Sequence, residues 1–178
     1  ARLTYEERLY SSKQREGSAL ELELGLSKRL TDLLALRAGF IKQDISAEHA
    51  VFDADNNRLY MDLDYKLSAS NVPYMTIAYT DGDVVSTAQR TDEIYAASDN
   101  IVRDDAFLDL MPYRYAYKLE AKTTSLRLGN SYILAPDQSL DFSLLYYKSK
   151  SSSYDEELGG INIDYSGLIY NVNYLYRF

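Results

Sequence analysis

Ser18-Ala-Leu-Glu-Leu-Glu-Leu-Gly-Leu-Ser-Lys-Arg-Leu30 decides how the rest of the chain is read. Leu20, Leu22, Leu24 and Leu26 fall on one side of an extended backbone; Glu21, Glu23, Gly25 and Ser27 fall on the other. Alternation with a period of two is the signature of a β-strand with two unlike faces. After a short turn at Thr31-Asp32 the pattern resumes, with Leu34, Leu36, Ala38 and Phe40 opposite Ala35, Arg37 and Gly39.

The same pattern recurs outward from there. Leu59, Met61, Leu63, Tyr65 and Leu67 alternate with Tyr60, Asp62, Asp64 and Lys66, and Met75, Ile77 and Tyr79 with Thr76, Ala78 and Thr80. Tyr113, Tyr115, Tyr117 and Leu119 alternate with Arg114, Ala116, Lys118 and Glu120; Leu140, Phe142, Leu144 and Tyr146 alternate with Asp141, Ser143 and Leu145. Residues 2–11 form the least regular strand, with charge on both faces. Tight connectors at Thr31-Asp32, residues 70–73 and residues 135–138 take turns with longer polar ones at 11–17, 44–57, 81–111 and 148–160. The three prolines fall at strand boundaries, where no ladder donor is lost. Some helix-like spacing runs from Thr91 to Met111. One phase conflict stands out: Leu119 and Ala121 share one parity, whereas Leu126, Leu128, Tyr132 and Leu134 have the other. A β-bulge between Lys122 and Ser125 is the preferred remedy; a turn there would add a strand.

Composition narrows the class. A length of 178 residues suits one domain, 1–178, and the chain has no cysteine, so disulfide frameworks and thiolate metal sites are excluded. A net charge of −8 argues against nucleic acid as a partner. Tyr is abundant (18, against 5 Phe and no Trp), and its apolar ring with a wet hydroxyl favours hydrocarbon–water interfaces. No uncharged run reaches the ~20 residues of a transmembrane helix, but a barrel strand crosses with ~9–11. No leader segment is evident; a mature chain starting at Ala1, a cytoplasmic protein or an excised fragment would all look this way.

Alternation alone does not say which face meets water: a soluble sandwich or lipocalin-like barrel would turn the Leu/Tyr face inward and the charged face outward, and three features favour the inverted arrangement. Gly25, Gly39, Gly129 and Gly167 all lie on the polar face, where a narrow barrel interior needs small residues beside large ones. The charges of that face are balanced: Glu21, Glu23, Asp62, Asp64, Glu120 and Asp141 against Arg37, Lys66, Arg114, Lys118, Lys122, Arg127 and Arg177. Confined charges must pair. The apolar face carries almost no charge from Leu20 onward. The expectation is an all-β, antiparallel up-and-down transmembrane β-barrel of about eight strands, with short periplasmic turns, long external loops and a charge network inside.

The chain end carries the most specific resemblance. Tyr170-Asn-Val172-Asn-Tyr174-Leu-Tyr176-Arg-Phe178 resembles the C-terminal assembly signal of bacterial outer-membrane proteins, in which alternating aromatic and apolar residues stop on a terminal Phe. The overall plan is similar to small barrels of the OmpA transmembrane-domain, OmpX/Ail and OmpW type, with no local motif favouring one of them. The resemblance implies integral residence in a Gram-negative outer membrane, contact with its lipid and lipopolysaccharide, and recognition by the barrel-assembly machinery.

Catalytic signals are sparse. Some barrels of this kind are enzymes that use His, and this chain has one, His49, with Ser46 and Glu48 nearby; neighbours in a connector do not make a triad. Acidic groups at Asp53/Asp55, Asp81/Asp83, Asp104/Asp105/Asp109 and Asp155/Glu156/Glu157 lack calcium-loop spacing and suit a solvated or lipopolysaccharide-adjacent surface. The expected function is non-enzymatic and without a cofactor: a scaffold whose acidic loops bind a protein partner, surface ligand or lipid, with a charge-plugged lumen. Two alternatives stay open, a narrow pore or OmpW-like path for small or hydrophobic solutes, and a barrel subunit of a larger envelope assembly.

Overall fold

Alternating side chains force each strand to present two chemically different faces, and turn chemistry decides how the strands follow one another. Between the first two long strands, Thr31 Oγ1 accepts from the N–H groups of Leu33 and Leu34 at 3.2 and 3.0 Å, and Leu30 N–H donates to Leu34 O at 2.8 Å. These bonds close a tight reversal. The computed structural model describes residues 1–89, 98, 100–107, 112–151 and 164–177.

The strands are β1 (Arg2–Arg8), β2 (Gly17–Arg29), β3 (Leu34–Ala47), β4 (Ala54–Tyr65), β5 (Asn71–Gln89), β6 (Ile101–Arg103), β7 (Arg114–Ala135), β8 (Gln138–Ser151) and β9 (Tyr165–Tyr176). Three short 3-10 turns occupy the longer connectors, at Lys13–Arg15, Ala50–Phe52 and Asp105–Phe107. Among the described residues these nine strands form one antiparallel sheet in the order β1-β2-β3-β4-β5-β7-β8-β9, with short β6 paired to β7. The up-and-down order matches the alternation of tight and long connectors. Hydrogen-bonded closure is not part of it: among the described residues, β1 and β9 each keep an unpaired edge.

The ladder places residues into rows. Leu26, Ala38, Met61, Ile77, Leu126, Tyr146 and Leu168 are successive cross-strand partners from β2 to β9, and all are apolar. A second row runs Leu36, Leu63, Met75, Leu128, Leu144, Tyr170. Beyond these two rows the apolar stretch drifts: Leu24, Phe40, Leu59 and Tyr79 continue it on β2–β5, towards the long connectors, but Thr124 and Lys148 follow in that row. On β7–β9 it continues the other way, through Tyr132, Leu140 and Tyr174.

The opposite face is concave. Residues of β1, β2, β3, β4, β5, β7 and β8 line one cavity of about 560 Å³. The same face carries small buried residues, among them Ala19, Ala78, Ser143 and Ser149. Tyrosines lie over glycines on the neighbouring strand: Tyr60 is paired with Gly39, Tyr74 with Gly129 and Tyr147 with Gly167. A Cβ at Gly129 would sit 2.3 Å from Tyr74 Cζ, so only glycine leaves the ring its place.

The phase conflict in the middle of the chain has a different resolution from a bulge or a turn. β7 pairs with β5 without interruption from Asn71↔Tyr132 to Gln89↔Arg114; the ladder irregularity of β7 lies at Ile133/Ala135, against β8. Pairing of β4 with β5 stops at Gly82 and that of β8 with β7 at Ala121. The β5–β7 ladder therefore runs on past most of the sheet, and its polarity inverts there. Tyr117 and Leu119 are buried on the concave-side parity, packed with Ala88 and Ile101, while Ala116 is buried on the other face with Val51, Phe52, Val85 and Val102. Residues 81–89, read as connector from sequence, belong to β5. In the stretch from Thr91 to Met111 the described residues form β6 and a 3-10 turn; residues 91–97, 99 and 108–111 lie outside the described residues.

Candidate functional site: a polar concave face and a locked connector cluster

Two groups of residues could carry function, one on the concave face and one where the long connectors meet. On the concave face Arg37 Nε and Nη2 donate to Asp62 Oδ2 at 2.8 and 2.6 Å, and Thr76 Oγ1 donates to the other carboxylate oxygen at 2.8 Å. Arg2 reaches Glu21 at 3.2 Å and Glu23 at 3.0 Å. The Tyr60 hydroxyl donates to Glu23, and Gln43 bonds Glu21 at 3.4 Å. Nearer the tight turns, Asp141 accepts from Tyr74 OH at 3.0 Å and from Ser131 Oγ at 2.6 Å. These groups come from adjacent or next-but-one strands, and the two-residue repeat aims them to one side.

The residues named for a charge network have the following placements. Glu21, Glu23, Arg37, Asp62 and Asp141 are engaged as described, and Arg127 lines the cavity. Asp64 shares their parity but is exposed near the turn. Lys66 stands in the connector after β4 and Arg177 after β9, both exposed. Arg114, Lys118 and Glu120 fall on the opposite face, because the unbroken β7 register carries no bulge to bring them inward. Lys118 Nζ instead approaches Asp53 O at 3.4 Å. Sequence reading placed Thr76 on this face but missed Arg2, Arg58 and Tyr74; Arg58 has the same parity as Tyr60 and Asp62, which is the signal that finds it.

The second group gathers three connectors. Asp104, fully buried, accepts from Arg15 Nη2 at 2.5 Å, Thr87 Oγ1 at 2.9 Å and Ala106 N–H at 3.1 Å. Arg15 also lies over the Phe52 ring, 4.5 Å from its centroid. Asp105 accepts from Ser12 Oγ and, at 3.2 Å, from Gln14 N–H, while Gln14 Nε2 donates to Arg103 O at 3.1 Å. Burial opposes ionisation of Asp105, but the bonds from Ser12 and Gln14 and the charge of Arg15 outweigh it and hold its carboxyl below the usual value.

The remaining sequence candidates have structural placements. His49 Nδ1 accepts from Val51 N–H at 3.3 Å and caps the turn that buries Val51 and Phe52. Asp53 accepts from Ala47 N–H at 2.6 Å, Asp55 is bonded to Lys42, and Asp83 accepts from Asp55 N–H at 3.1 Å. Among the described residues no three acidic or histidine side chains gather as a metal site. Asp109, Asp155, Glu156 and Glu157 lie outside the described residues. Of the terminal signal, Tyr170, Val172, Tyr174 and Tyr176 share the convex face of β9, with Tyr170 75 % and Val172 73 % exposed; Phe178 lies outside the described residues. In comparisons with known proteins no family model matches this chain, and no curated protein or solved structure does, so its function rests on its own geometry.

Proposed function

We propose that the chain is a small, non-enzymatic β-barrel of a bacterial outer membrane, anchoring its locked connectors as a binding platform on one side. The observation that carries this reading is the inverted radial polarity. Large apolar side chains stand exposed in continuous rows on the convex face, while arginines and carboxylates pair on the concave one. In water such rows would be a severe aggregation liability; in hydrocarbon they are the stable arrangement. The drift of the apolar band across the hydrogen-bonded rows fits strands tilted to a barrel axis. Along β9, the stretch from Leu168 to Tyr176 is about 26 Å at roughly 3.3 Å per residue, enough for a tilted crossing strand. Closure by β1 against β9 belongs to the proposal. With eight strands in the meander, the first and last run antiparallel, so their free edges have the right polarity to pair.

The cavity among the ion pairs favours a second reading, a narrow polar path. One experiment addresses both. The protein is refolded into lipid vesicles, with a heat-modifiable gel shift as the folding control, and its conductance is measured in a planar bilayer. A detergent-dependent, protease-resistant, electrically silent species is the expected result. Steady openings would move the path to the front. A chain that stays monodisperse in buffer without lipid or detergent would overturn the membrane reading.

A further inference from the structure

Two arginines on the concave face stand outside its ion pairs. Four arginines line the cavity, Arg2, Arg37, Arg58 and Arg127, against two carboxylates, Glu23 and Asp62. Arg2 is held by Glu23 and Arg37 by Asp62. The other nearby carboxylates are taken too: Glu21 by Arg2 and Gln43, Asp141 by Tyr74 and Ser131. Arg58 and Arg127 have no anionic partner among the described residues. Both are exposed to the cavity rather than packed.

Register sets the two on the strands either side of β5, four residues apart along it. Arg58 on β4 is the direct partner of Thr80 on β5, and Arg127 on β7 is the direct partner of Thr76 on β5. Between these two levels on the same face stand Ala78, 2 % exposed, and its partner Ser125. These residues put no long side chain of β5 or β7 between the two arginines, which line the same cavity from the strands on either side of β5. Thr76 spends its proton on Asp62, so the free donors are Arg58, Arg127, Thr80 and Ser125. A cradle rich in donors and flanked by two forked cations selects a fully ionised oxyanion.

We propose that this cavity binds a phosphate-type oxyanion, held by Arg58 and Arg127 with Thr80 and Ser125 as neutral donors. The site needs the curled sheet but not the membrane, so its failure and that of the barrel reading are separable. The test uses the whole refolded chain in detergent, titrated calorimetrically with inorganic phosphate and, in a second arm, glycerol 3-phosphate. Saturable one-to-one binding of either is expected, the tighter arm telling free phosphate from an esterified one. Binding should weaken at least about tenfold in Arg58→Gln and again in Arg127→Gln, while Arg177→Gln leaves it unchanged. On the unmodified chain, phosphate should protect Arg58 and Arg127 from phenylglyoxal, read by mass spectrometry, which keeps the test independent of variant folding. No binding by the folded chain, binding that survives the double substitution, or unprotected arginines would overturn the proposal.

Discussion

Removing the Arg15 side chain should open the connector cluster by a predictable amount. Asp104 has no exposed surface and, among the described residues, three donors, of which Arg15 alone is charged. Breaking a buried ion pair by deleting one partner costs about 3–5 kcal/mol. Here the loss is smaller: Arg15 is 24 % exposed, so water enters where it leaves, and Thr87 and Ala106 still donate. About 2 kcal/mol from the pair, plus roughly 0.5–1 kcal/mol from the contact over Phe52, gives a total near 3 kcal/mol for Arg15→Ala. That corresponds to a loss of about a hundredfold or more in hydrogen-exchange protection. The amides to follow are those bonded within the cluster: Glu16, Asp104, Asp105 and Phe107. The penalty comes from a stranded charge, so Asp104→Asn should shrink it. In that background Arg15→Ala should cost under about 1 kcal/mol, little more than the ring contact. An equal cost in both backgrounds would refute the account of Asp104 as a buried carboxylate that depends on Arg15.

Three further outcomes follow from other parts of the molecule. Gly129→Ala places a methyl within 2.3–2.8 Å of the Tyr74 ring, and should destabilise the fold by about 1–3 kcal/mol in denaturant melts, with partial recovery on adding Tyr74→Ser. Asp105 has a lowered pKa in the fold, so its contribution is present above the ordinary aspartate range and fades as pH falls through the folded value; exchange protection at Gln14 should drop in acid, and Asp105→Asn should remove that dependence. Ile77→Arg, in the middle of the apolar rows, should cost about 2–4 kcal/mol for folding in a bilayer, whereas Lys122→Arg, near the long-connector end of the β7–β8 ladder, should cost little; equal small effects would count against the membrane reading.

Some of this was legible in the residues and some was not. β2 and β9 alternate cleanly because every residue from Leu20 to Leu26 and from Leu168 to Tyr176 belongs to a strand with two constant environments. β7 misleads because its two ends do not share an environment: Leu126 and Leu128 face outward, while Tyr117 and Leu119 turn apolar groups inward where the β5–β7 ladder outruns its neighbours. Reading the parity change as a bulge is the natural error, since local sequence does not encode where a neighbouring strand ends. Arg58 was passed over for a related reason. β3 runs on to Ala47 and β4 begins at Ala54, but these polar ends alternate too weakly to be told from a connector. Arg2 was hidden by a strand with charge on both sides. The Arg15–Asp104 contact joins residues 89 apart in the chain, and nothing local to either announces the other.

The tyrosine–glycine pairs also bear on how the strands find their alignment. Alternation rejects any slip by one residue, which would turn every side chain over, but is blind to a slip by two. The pairs are not blind to it. A two-residue slip would set Tyr74 against Arg127 or Ser131, Tyr60 against Arg37 or Ile41, and Tyr147 against Tyr165 or Ile169. Each ring would lose the one neighbour without a side chain and meet a larger one. Three notches, on three different ladders, thus work like the cuts of a key, giving an otherwise repetitive sheet a single position in which it can seat.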